Sequence, residues 1–156
     1  MRFQLTRELN RVEYYGLGPH DNYSDRKASA WTGTHAGAVE DLYIPYSKPQ
    51  DHGNREAVRW MELKSEKGFG LKVIAPEPLP TSVLPFTQEE LSGKRHTKDL
   101  PKPQVSELRV AVQVSGVGNG SCGSLPFASH RTMSSEIQYR YLLVPFVNKR
   151  EPGNTM

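Results

Sequence analysis

"AVRWMELKSEKGFGLKVIA", residues 57–75, sets the fold class. Two runs rich in β-branched, aromatic and other apolar residues, 57–63 and 69–75, flank the turn signal Lys67-Gly68, the pattern of a β-hairpin. Downstream, "LRVAVQV" (108–114) alternates and places Leu108, Val110, Val112 and Val114 on one face. "EIQYRYLLV" (136–144) does the same with Ile137, Tyr139, Tyr141 and Leu143. Upstream, "RFQL" (2–5) and "NRVEYY" (10–15) read as two further strands. The first opens at residue 2 with no lead-in, leaving an edge that a longer chain would pair.

One short helix interrupts the strands. Thr87 followed by Glu90 makes a capping box, and Gly93 ends the helix after about two turns. The proline-rich stretches "APEPLPTSVLPF" and "LPKPQ" read as extended connections between strands. With 12 prolines and 13 glycines in 156 residues, long helices are excluded. The expectation is an all-β protein, an antiparallel sandwich or barrel with one helix, forming a single unit over 1–147 with a frayed tail at 148–156.

Charge narrows the partners. Twenty basic residues against 17 acidic ones give a net charge of +3, but the signs are interleaved, and the longest basic runs are Lys94-Arg95-His96 and Lys149-Arg150. That is no nucleic-acid footprint. "MRFQLTREL" has no apolar signal core and no stretch of 18 apolar residues occurs, so a soluble chain without a membrane partner is expected and a cytoplasmic location is favoured. The single cysteine, Cys122, excludes an intrachain disulfide. Five histidines show no metal-ligand spacing, and neither a metal nor a cofactor is expected.

Two stretches could carry chemistry. "YYGLGPHDNYSDR" (14–26) reads as a shaped loop, since Gly16, Gly18 and Pro19 break any helical period and the run is too polar for a buried strand. It holds what sugar recognition needs: Tyr15 and Tyr23 to stack on a pyranose face, and Asn22, Asp25 and Arg26 to bond its hydroxyls. The same residues also suit a brace, with Arg26 paired to Asp21 or Asp25. "GVGNGSCGS" (116–124) has four glycines for tight turns or close approach to a ligand, but neither a phosphate-loop ending nor a nucleophile elbow. It is either a connecting turn or a ligand-facing loop. Cys122 as a nucleophile needs a histidine supplied by the fold; an inert thiol is the plainer reading.

Four stretches in order, "YYGLGPHDNYSDRKASAW", "YIPYSKPQDHGNREAVRWMEL", "EELSGKRHTKDLPK" and "GVGNGSCGSLP", resemble the C-terminal domain of the large β-galactosidases of glycoside hydrolase family 2. The resemblance implies a galactose-mutarotase-like supersandwich, of which this chain is the second half. It implies that the two catalytic glutamates lie on a separate TIM barrel, the partner of this chain, so that no catalytic residue is expected here. It further implies that loop 116–124 reaches toward the galactoside pocket, which makes Asn119, Ser121 and Cys122 its candidate sugar contacts beside Asn22, Asp25 and Arg26. The family has tryptophan or cysteine at the position of Cys122, and a thiol offers little area for stacking on the leaving sugar. Ser24 and Ala111 depart from the proline and aspartate common in the family at those positions. The alternative is a free-standing carbohydrate-binding module.

Overall fold

A computed structural model describes residues 1–118, 123–132 and 135–147. Among them are seven strands: β1 (Arg2–Thr6), β2 (Arg11–Gly18), β3 (Trp31–Ala38), β4 (Arg55–Lys64), β5 (Phe69–Leu84), β6 (Val105–Val110) and β7 (Leu142–Val147). The one α-helix, α1, spans Gln88–Ser92. All seven strands join one antiparallel sheet in the order β1-β6-β5-β4-β2-β3, with β7 also on β5, and no barrel closes. The all-β antiparallel architecture with one short helix is the one the sequence calls for.

The expected hairpin is β4–β5, paired from Trp60↔Ile74 to Lys64↔Gly70, and Gly68 supplies the left-handed turn residue at φ 88°. β4 carries a bulge where the register shifts between Val58 and Trp60, and Ala57 beside it takes φ 57°. The bulge keeps Val58, Met61 and Leu63 all on the buried face. They meet Val12 and Tyr14 of β2, Val73 and Val83 of β5, and Leu108 and Val110 of β6 in one core. The helix has the expected cap: Thr87 Oγ1 accepts from the Glu90 N–H, and the Glu90 carboxylate accepts from the Thr87 N–H.

Several expectations need correction. β6 ends at Val110 and not at Val114, and β7 begins only at Leu142, so Glu136–Tyr141 lie outside the ladder. One cause explains both. β5 is 16 residues long and continues through the segment expected to be a connection, so β7 pairs along its first half (Phe69–Ile74) and β6 along its second (Thr81–Leu84), on the same edge. Between them stand Pro76, Pro78 and Pro80, which have no N–H to give a neighbouring strand. Both partners stop where these prolines begin.

The expected strand 10–15 also runs further than its sequence suggests, since residues 16–18 are strand and not loop. β2 buries Val12, Tyr14, Gly16 and Gly18 in strict alternation. The glycines are there for close approach: a Cβ on Gly16 would lie 2.9 Å from the Val58 Cα, and one on Gly18 would lie 2.2 Å from the Tyr14 hydroxyl. β3, poor in large apolar residues, is an edge strand that the sequence reading does not place. The expected tail 148–156 lies outside the described residues.

Candidate functional site

The shaped loop therefore starts at Pro19, where β2 ends. Its frame is Asn22, fully buried, whose amide Nδ2 donates to the carbonyls of Leu17 (3.1 Å) and His20 (3.0 Å), while its Oδ1 accepts from the Glu56 N–H (2.8 Å). Asn54 Nδ2 returns a bond to the Asn22 carbonyl at 2.9 Å. Within this frame Tyr23 and Arg26 exchange backbone hydrogen bonds, leaving Ser24 and Asp25 at the tip of a tight turn. Arg26 Nη2 donates to buried Asp21 at 3.0 Å, and its guanidinium lies 5.2 Å from the centre of the Tyr23 ring. Burial, with the Asp21 charge beside it, pushes the Tyr23 phenol up to about 12.

The half-buried tip holds the second loop. Asp25 Oδ1 accepts from the Val117 N–H at 3.0 Å, and Oδ2 from the Gly118 N–H at 2.7 Å. Desolvation opposes the charge, but the hydrogen bonds from Gly118 and Val117 outweigh it and hold the Asp25 carboxyl below its ordinary value. Two glycines of this loop have reasons. A Cβ on Gly116 would sit 2.5 Å from the Asp25 carboxylate, and Gly118 takes φ 50° against Pro126. Gly116 N–H donates to the His130 carbonyl at 2.7 Å, which ties 116–118 to the short 3-10 turn Ala128–His130.

These contacts shape an open cleft of about 590 Å³ lined by Asp25, Arg26, Val117, Gly118, Phe127 and His130 among others. One wall is apolar, with Phe127 83% and Leu125 70% exposed. The rim is polar: Asp25 keeps free acceptor capacity, Arg26 has N–H groups beyond the one given to Asp21, and His130 stands beside them. An apolar face with hydroxyl-bonding groups at its edge is the chemistry a sugar ring calls for. Among the described residues no three His, Cys, Asp or Glu side chains converge as metal ligands.

Of the six sequence-predicted contacts, Asp25 and Arg26 line this cleft, whereas Asn22 is spent on internal bonds. Asn119, Ser121 and Cys122 lie outside the described residues. Sequence reasoning missed Phe127, Leu125 and His130, although Leu125 lies inside the quoted stretch "GVGNGSCGSLP" and Phe127 directly follows it. His52 is a second buried polar group, in the hydrogen-bonding role that is the default for these histidines: it accepts from the Ile44 N–H through Nε2, so Nδ1 carries the proton given to the Gln50 carbonyl, and burial lowers its pKa.

Comparison with known proteins places the chain among domains of β-galactosidases. Residues 1–143 match the family described as beta galactosidase small chain. Over 144 residues, 92% of the chain, it is 34% identical to a β-galactosidase of Actinobacillus pleuropneumoniae, of which the match covers 14%. It is 33% identical to a β-galactosidase of Priestia megaterium over 76% of the chain and 11% of that protein. A β-galactosidase of Lactobacillus delbrueckii subsp. bulgaricus is 35% identical over 79% of the chain and 12% of its own length. The chain belongs to the β-galactosidase small chain family and spans only a small part of the enzymes it matches.

Proposed function

We propose that this chain is a noncatalytic β-sandwich portion of a β-galactosidase, of the galactose-mutarotase-like type, which completes the wall of the sugar pocket and supports the catalytic barrel. The observation that carries the reading is the two-point bond from Asp25 to Val117 and Gly118, which fixes a glycine loop beside an open cleft of mixed apolar and polar lining. In this role Phe127 and Leu125 offer apolar faces to the leaving sugar, and Arg26 and Asp25 bond its hydroxyls. Asn22 braces the loop that presents them. The carboxylates that cleave the glycosidic bond come from another part of the enzyme.

Two measurements test this. The purified 156-residue chain, given a chromogenic galactoside and then titrated with galactose and lactose, is expected to show neither turnover nor saturable binding. Turnover overturns the noncatalytic reading, and tight saturable binding favours the free-standing module. In the complete enzyme, Arg26→Ala and Phe127→Ala are expected to raise KM for lactose more than they lower kcat. Cys122→Trp is expected to strengthen retention of a glucose acceptor, because an indole adds the stacking area a thiol lacks.

A further inference from the structure

We infer that β7, together with the outer face of the sheet beside it, is a docking surface for an apolar face of the larger part of a β-galactosidase. The sequence of β7, Leu-Leu-Val-Pro-Phe-Val, is continuously apolar, which is the signature of a strand covered on both faces. Here only Phe146, which packs over Gly70, is partly covered. Leu142 and Val144 on one face are 57% and 40% exposed, and Leu143 and Val147 on the other are 37% and 74% exposed. The strand pairs with β5 along one edge only.

The outer face extends this patch. Cross-strand register aligns Tyr15, Trp60, Ile74 and Leu142 in one apolar row over four strands. The adjoining charges are satisfied among themselves. Lys64 binds Glu13 at 2.8 Å and Glu62 at 2.9 Å, and Lys72 binds Glu62 at 2.7 Å while lying 4.6 Å from the centre of the Trp60 ring. A surface whose flanking charges are already neutralised asks for an apolar partner, not a charged one. Pro145 lies within β7 and has no N–H to offer, so the partner covers the faces of the strand and does not extend the sheet through its edge.

The chain's own residues outside the described set are few and mostly polar. They are Asn-Gly-Ser-Cys at 119–122, Met-Ser at 133–134 and the polar run "NKREPGNTM" at 148–156. The enzymes it matches do supply enough chain, since the matched segment makes up only 14%, 11% and 12% of their lengths. The proposal rests on the reading of the chain as one portion of a β-galactosidase, and not on the sugar cleft.

Hydroxyl-radical footprinting of the 156-residue chain and of the complete β-galactosidase polypeptide that carries it tests the surface directly. Leu142, Leu143, Val144 and Val147 should be labelled in the first and lose that labelling in the second. The double variant Leu142→Lys/Val144→Lys should melt with the wild type as an isolated chain, since both residues are exposed there, yet restore labelling of β7 in the complete protein. Equal labelling in both states overturns the proposal. So does sedimentation of the isolated chain as a dimer with these four side chains protected, which makes a second copy the occupant. A complete polypeptide that protects β7 but cleaves no galactoside sinks the functional reading and leaves the docking surface standing.

Discussion

Asp25 and Gly118, 93 residues apart, are joined by a hydrogen bond of 2.7 Å from the glycine N–H to a carboxylate oxygen, and the other oxygen takes the N–H of Val117 at 3.0 Å. One carboxylate thus couples the turn after β2 to the glycine loop after β6. Charge-assisted bonds to backbone N–H groups are stronger than neutral ones, and the partial exposure of Asp25 brings their worth toward the lower end.

Asp25→Ala is therefore expected to cost about 1 kcal/mol in denaturant unfolding, and to speed hydrogen exchange at the Val117 and Gly118 amides well beyond that global effect. The sign with pH follows from the lowered carboxyl pKa. The contribution is fully present above the ordinary value of 3.8 and is lost as pH falls through the lower folded-state value. Acid titration of the loop amide signals should show this transition in the wild type and not in Asp25→Asn. Unchanged exchange at both amides in Asp25→Ala would mean that the loop holds itself.

Ser24 sits at the first corner of the Tyr23–Arg26 turn, where proline is favoured, and its hydroxyl is buried without a hydrogen-bond partner. Ser24→Pro removes that orphan and restricts the unfolded chain, so a gain of about 1 kcal/mol is expected from thermal or denaturant unfolding. A loss instead would show that the turn backbone does not accept the proline ring.

Residues with a local signal are legible in the sequence. Thr87 and Glu90 announce the helix cap, and Gly68 the hairpin turn, because each motif is closed within a few residues. The limits of β6 and β7 are set by the prolines of β5, a different strand, and so are invisible in the alternation of "LRVAVQV" or "EIQYRYLLV". Gly16 and Gly18 look like loop formers, and only the packing of Val58 and Tyr14 reveals them as strand residues chosen for their lack of a side chain. The site divides the same way. Asp25 and Arg26 have the right chemistry in sequence, but which of the polar loop residues is spent on bracing depends on Asn54 and Glu56, far along the chain on and beside β4.

Gly16→Ala tests that account of β2. The added methyl would meet the Val58 backbone at 2.9 Å, and backbone in the interior of the sheet has nowhere to retreat. A loss of about 1–3 kcal/mol is expected, the range for overpacking in a well-filled core. Gly37→Ala on β3, where an added Cβ would have nothing within 4 Å, is the control and should be close to neutral. Similar effects at the two sites would point to backbone entropy and away from close approach.

Glu107 is 1% exposed on β6, and its carboxylate accepts from Arg109 Nε at 2.7 Å, while Arg109 Nη1 also bonds Asp51. Removing the cation alone leaves the buried carboxylate without its counter-charge, whereas removing both charges leaves an apolar site of similar volume. Arg109→Met is accordingly expected to destabilise the chain by about 3 kcal/mol, and Arg109→Met/Glu107→Leu to recover most of that loss. Denaturant unfolding of the two single variants and the double variant closes the cycle and gives the coupling. A double variant no better than Arg109→Met would locate the cost in Asp51 and the packing of the arginine stem, and not in the buried carboxylate.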